Sequence, residues 1–316
     1  MPEYRILALD GGGVRGAFTS RLIERLQAAT GFLAETDLVA GTSTGGIIAL
    51  ALAAGIPPDR ITDLYLQRAG EIFSASLFRK VQGGTLVAKY PQDGLRAALT
   101  SVLGELKLAD LRAHTVLIPT FDLDNESTVE PRWWKPKFFH NLDNKDGQPD
   151  RAQRALDVAL RTSAAPIYFP TADNYIDGGV AANNPSMAAL ALAANPDTDH
   201  GAGRTIFEIR LLSLGTGTNA RWIAGDHDWG LLSWGKKLVD ILMDGTMGVA
   251  TYQCKAMLGP NFHRLDPVLR DDVSLDDASR VRDLVAWADK ERLEETIEWI
   301  KRTYLAPPAP ASEEVA

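Results

Sequence analysis

Residues 37–46 read Asp37-Leu38-Val39-Ala40-Gly41-Thr42-Ser43-Thr44-Gly45-Gly46. The apolar triplet Leu38–Ala40 predicts a short strand, and the small-residue run Ile47–Ala54 predicts a helix leaving on the far side of the glycines. Between them lies a G-x-S-x-G element in the strand–turn–helix setting it needs. A serine at such a turn sits in a strained backbone with its hydroxyl exposed, so the positions two before and two after it, Gly41 and Gly45, cannot carry a Cβ. Ser43 would also stand at a helix N-terminus, where free N–H groups and the macrodipole favour developing negative charge. The plainer alternative is a Gly/Ser/Thr turn in which Ser43 only caps the helix. The flanking strand and helix favour a nucleophile.

Upstream, Tyr4–Leu9 has the pattern of a buried strand, and Asp10-Gly11-Gly12-Gly13-Val14-Arg15-Gly16 follows it. A helix over Ala17–Ala29 comes next, with Leu22, Ile23 and Leu26 on one face. Strand, glycine loop and helix open an α/β fold. Gly11, Gly13 and Gly16 satisfy G-x-G-x-x-G, which raises a dinucleotide site as a rival. That rival needs an acidic residue at the end of the second strand, whereas Asp37 lies at its beginning and the Ser43 turn occupies its end. An oxyanion hole suits the loop better, because consecutive glycines let backbone N–H groups crowd toward a carbonyl oxygen that becomes negative. Arg15 could add a fixed positive charge there; its ordinary fate would be a surface ion pair.

Downstream, Pro58 opens a helix with Ile61, Leu64 and Tyr65 on its apolar face. The stretch from Ile72 to Tyr90 lacks periodicity and reads as a mobile loop with a helical piece, a candidate lid. Asp93–Gly104 returns to helix, and His114–Phe121 to a buried strand. Trp133-Trp134-Lys135-Pro136-Lys137-Phe138-Phe139 interleaves aromatics with cations. It could form a membrane or nucleic-acid patch, but an edge strand with packed aromatics and solvated lysines is favoured. A helix over Asp150–Ser163 precedes the short strand Tyr175-Ile176, which runs into Asp177-Gly178-Gly179. A carboxylate at a strand end beside two glycines can reach a neighbouring loop, although such an aspartate is more often a turn former. Asn183-Asn184-Pro185 leads into a helix over Ser186–Ala194. Ile209–Leu214 is a strand ended by Gly215-Thr216-Gly217-Thr218, a turn at the same edge if the sheet is parallel. Loop then helix follows over Trp222–Leu258. The charge-rich Asp271–Arg302 predicts two solvated helices, and residues 306–316 a disordered tail.

The chain has 316 residues, 45% hydrophobic and 23% charged, an ordinary globular composition that allows one large α/β domain over residues 1–305. Cys254 is the single cysteine, so no intrachain disulfide forms. The start lacks the apolar core of a secretion signal. The longest apolar runs are about eight residues, far below the roughly 20 that span a bilayer. A cytoplasmic protein is expected. The formal charge of -8 works against DNA, RNA and anionic lipid, so membrane contact would be local and peripheral.

A serine nucleophile needs a proton acceptor. The histidines are His114, His140, His200, His227 and His263, and a Ser-His-Asp esterase ending at His200, His227 or His263 stays open. The motifs at 10–16, at 41–46 and D-G-G-V-x-x-N-N-P from 177, with Ile118-Pro119-Thr120, Arg161–Pro166 and Ser213–Gly217 between and after them, resemble the patatin-like phospholipases over roughly the first 260 residues. The resemblance implies a three-layer α/β/α patatin-like fold with a mostly parallel central sheet. It implies an acyl hydrolase without metal or other cofactor, built on a Ser-Asp dyad. Ser43 would match the nucleophile and Asp177 the base. Gly11, Gly12 and Gly13 with Arg15 would match the oxyanion site, and Gly16, Gly41, Gly45, Gly178 and Gly179 the supporting glycines. Membrane phospholipid is the implied substrate. Among family types, the chain looks most like bacterial anti-phage effectors that degrade membranes when a cyclic nucleotide binds. A non-catalytic lipid- or nucleotide-binding module on the same fold is the alternative of a different class.

Overall fold

The computed structural model of the chain describes residues 3–74, 87–128, 131–143, 149–197, 203–220, 228 and 230–307. Strand β1 (Tyr4–Leu9) is followed by α1 (Gly16–Thr30), β2 (Leu38–Gly41), α2 (Thr44–Ala53), α3 (Pro58–Ile72), α4 (Asp93–Leu103) and β3 (Thr115–Asp122). Then come β4 (Lys135–His140), α5 (Ala155–Thr162), β5 (Tyr175–Asp177), the one-turn α6 (Gly179–Ala182) and α7 (Ser186–Ala194). β6 (Ile209–Leu214), α8 (Leu231–Leu258), β7 (Phe262–Leu265), α9 (Val281–Lys290) and α10 (Glu294–Trp299) complete the order, and a π-turn over Ile300–Tyr304 closes it.

These seven strands form one sheet in the order β4-β3-β2-β1-β6-β7, with β5 beside β3. The pairs β1–β2, β1–β6, β2–β3 and β6–β7 are parallel, while β4 and β5 both run antiparallel to β3. A strand has only two edges. β4 takes one edge of β3 from Leu117 to Asp122, so β2 and β5 share the other: β2 pairs Thr115–Leu117 and β5 pairs Thr120–Asp122. That sharing brings Asp177 to the carboxyl end of the sheet, where β2 ends in the Ser43 turn.

The strands are apolar on both faces because helices cover both. Leu7, Leu9 and Val39 pack with α1–α5 in one core, while Ile6, Ala8, Leu38 and Leu211 pack with α7 and the end of α8 in another. α2 lies inside the first core and is buried all round, which is why its sequence, TGGIIALALA, shows no polar face.

Several expectations are corrected. The 133–139 segment is an edge strand, but Trp134 is 72% exposed and Phe138 36%, while Lys137 is partly buried in an ion pair with Asp150. One side of an edge strand at the rim has no layer to cover it; the other packs Phe139. The helices of 271–302 are not merely solvated: Val281, Leu284, Ala288, Trp299 and Ile300 are buried, and α9 packs on α1. β7 extends the sheet beyond the last recognised motif. The loop expected at 72–90 falls largely outside the described residues, as does the tail beyond 307.

Candidate active site

β1 and β2 end side by side, with Leu9 paired to Gly41, and both feed their glycine loops to the same edge. Ser43 sits at φ 54°, ψ -121°, a left-handed-side conformation that a β-carbon resists, directly before α2. The glycines around it answer to close approach. A Cβ on Gly41 would run into the Gly45 carbonyl, and one on Gly45 into the carbonyls of Leu9 and Asp10. The Ser43 N–H donates to Thr162 Oγ1 at 2.9 Å, and the Thr162 hydroxyl donates to the Pro119 carbonyl at 2.6 Å. Thr162 thus pins the strained turn to β3. Thr162→Val leaves a buried N–H unpaired and is expected to cost about 1–3 kcal/mol of stability, read in a denaturant melt.

Asp177 is fully buried at the end of β5. Its Oδ1 accepts the Gly179 N–H at 2.7 Å, and its Oδ2 has no hydrogen-bond partner among the described residues. Burial pushes its pKa up to about 7, against the opposing pull of the Ser43 hydroxyl beside it and then of the Gly179 amide. The Ser43 hydroxyl acts on the carboxyl without forming a full hydrogen bond to it, and catalytic bonds of substrate-free sites commonly tighten on binding. Both residues face one small cavity of about 70 Å³, with Ile47, Ala69, Phe73, Leu95 and Phe169 among its walls.

The glycine loop is divided in its roles. Gly11 N–H is spent on the Asn183 carbonyl at 3.1 Å, and Val14 N–H on Leu275 at 2.8 Å. Gly12 and Gly13 line the Ser43 cavity, and their amides meet no acceptor among the described residues. Arg15 lies elsewhere: its Nη1 donates to the Gly217 carbonyl at 3.0 Å, and its side chain faces a neighbouring polar cavity. Asp10, buried and raised to about 6 by that burial, is tied to Arg264 at 2.6 Å, which anchors the start of the loop.

Gly16 packs against Thr44 and Tyr65, and Gly178 against the Pro119 carbonyl. His114 bonds the Thr36 carbonyl, His263 bonds Thr296 and stacks on Trp299, and His140 lines a groove on the other side of α6. None of these three faces Ser43; His200 and His227 lie outside the described residues.

Asn183 is a site residue that sequence reasoning missed. It is 3% exposed, its Oδ1 has no hydrogen-bond partner among the described residues, and a Cβ on Gly11 would collide with that oxygen. Its only signal in the sequence was its position six residues after Asp177, inside a motif quoted for its glycines.

A family model described as patatin-like phospholipase matches residues 7–190. A protein of Pseudomonas aeruginosa named cGAMP-activated phospholipase is 32% identical over 87% of this chain and 82% of its own length. One of the same name from Vibrio cholerae is 32% identical over 96% of both chains. The putative sporulation hydrolase CotR of Bacillus subtilis is 30% identical over 96% of this chain and 99% of its own.

Proposed function

The chain belongs to the patatin-like phospholipase family, and on that premise we propose that it cleaves membrane phospholipid esters by a Ser43–Asp177 dyad. The observation that carries this is the strained turn that holds Ser43, itself buried, at the wall of the apolar cavity beside a buried carboxyl whose pKa is pushed up to about 7. A free aspartate, with a pKa near 3.9, is a poor base at neutral pH; burial brings this one to the working range. Asp177 takes the Ser43 proton as Oγ attacks the ester carbonyl, and the amides of Gly12 and Gly13 meet the oxyanion. Collapse returns the proton to the departing lysolipid alcohol and leaves an acyl-serine. Asp177 then deprotonates a water that attacks the acyl carbon, and fatty acid leaves with Ser43 restored.

Regulation by a cyclic nucleotide is part of the proposal, supported by the named activator of two relatives. Membrane contact would be peripheral: no described helix is long and apolar enough to cross a bilayer. The test is labelling of Ser43 by a fluorophosphonate, followed by intact mass, with fatty-acid release from vesicles measured with and without cGAMP. Labelling at Ser43 and release that rises with cGAMP are expected. An unlabelled serine would make the chain a binding module, and equal release would remove the activator.

A further inference from the structure

Asn183 closes the one-turn α6 with its backbone tied on both sides: its carbonyl accepts the Gly11 N–H at 3.1 Å, and its N–H donates to Thr246 Oγ1 at 3.4 Å. The side chain is 3% exposed, and its Oδ1 has no hydrogen-bond partner among the described residues. That oxygen neighbours both members of the dyad. A Cβ added to Gly11 would strike it and stand 3.3 Å from the Ser43 Cβ, while one added to Gly179 would lie 3.0 Å from it and 3.0 Å from Asp177 Oδ1. Two buried acceptors, the Asp177 carboxylate and the Asn183 amide, thus flank the nucleophile. A buried acceptor without a donor costs free energy, and a small O–H donor such as water is the usual remedy. Asn183 also borders a second cavity, of about 440 Å³, whose wall includes Thr216, Thr218 and Asn219.

The two halves of the proposed cycle differ in protons. Ser43 has one hydroxyl proton, and Asp177 takes it. A water has two, and its lone pair is aimed at the acyl carbon only when an acceptor holds each of them. We propose that Asn183 Oδ1 is the second acceptor and holds the water that frees the fatty acid from Ser43. This water comes from the larger cavity, while the acyl chain occupies the apolar one. Its oxygen bonds to the acyl carbon as one proton passes to the Asp177 carboxylate. The tetrahedral intermediate then breaks its bond to Ser43 Oγ, which takes that proton, and the fatty acid departs with the other. Asn183 therefore serves deacylation and not acylation. The inference rests on the Ser43–Asp177 hydrolase proposed above and adds a residue to its second half.

The test uses Asn183→Leu, which keeps the approximate size and removes the acceptor. The chain is mixed with a short nitrophenyl ester, with cGAMP added if Ser43 labelling requires it. Nitrophenol release is followed through the first turnover, and acyl-Ser43 by intact mass. Loss of one hydrogen bond to the attacking water should slow the decay of acyl-Ser43 about tenfold to a hundredfold. The first turnover should keep close to its wild-type rate, so that kcat and KM fall together and their ratio changes little. Methanol has one hydroxyl proton and needs no second acceptor. At a fixed methanol concentration the ratio of methyl ester to fatty acid should therefore rise about tenfold or more in the variant. If Asn183→Leu does not fold, Asn183→Ala should still raise that ratio about threefold, the effect being smaller because a second water can stand in for the lost oxygen. An unchanged product ratio, or equal slowing of the first turnover and of the decay, overturns the role of Asn183 and leaves the dyad standing. Loss of Ser43 labelling in both variants, with the wild type labelled, makes Asn183 a structural residue and overturns it too. A wild-type chain that neither labels nor releases nitrophenol overturns the hydrolase function and this inference with it.

Discussion

Ser43→Ala should lower fatty-acid release by roughly 10⁴-fold or more, because removing a nucleophile ends the covalent route and leaves only binding and oxyanion contacts. The fold should survive the change. The anchors of the turn are backbone and Thr162 contacts that alanine keeps, and the Ser43 side chain is not part of either apolar core. Stability should therefore move by less than about 1 kcal/mol, checked by thermal melting beside a fatty-acid assay. The variant should also lose fluorophosphonate labelling. Activity above a tenth of wild type would mean that another group attacks the ester.

Asp177→Asn should cost roughly 10²–10⁴ in kcat, the usual worth of a general base. The amide keeps the shape and can still accept the Gly179 N–H, so the loss would be chemical rather than structural. Two pH signatures separate these cases. In the wild type, kcat/KM for a short ester should rise with pH through about 7 as the carboxyl gives up its proton, and this step should vanish in the variant. Stability runs the other way. Below the unfolded pKa, near 3.9, the group is neutral in both states; from there up to about 7 the unfolded chain ionises it while the fold resists, so stability falls. At about 1.4 kcal/mol per pKa unit, the wild type should be several kcal/mol less stable than Asp177→Asn at pH 8, with the difference gone near pH 4. A variant with the wild-type rate, alongside a histidine variant that lost it, would restore the triad.

The site was legible where its constraints are local. Gly41 and Gly45 are fixed by atoms within a few residues of Ser43 and by the neighbouring strand end, so the pentapeptide and its flanks announce the turn. Asp177 was only a turn-forming aspartate until its motif was set beside the others, since its burial comes from β5 docking on β3, an antiparallel pairing that three residues of strand cannot announce. The division of the glycine loop was invisible, because it depends on which amide Asn183 engages from 172 positions away. Burial of α9 was also hidden: Val281, Leu284 and Ala288 keep a helical spacing, but the charges between them dominate the composition.

The last turn of the chain closes on the first strand. The Tyr304 hydroxyl, fully buried, lies 3.0 Å from Thr36 Oγ1, and the Arg5 guanidinium holds the carbonyls of Tyr304 and Ala306. During synthesis, the serine, the carboxyl and the glycine loop all leave the ribosome more than a hundred residues before this clasp exists. A nascent chain thus already carries Ser43 and Asp177 while Arg5 on β1 still lacks the carbonyls of Tyr304 and Ala306 that hold it in the finished fold.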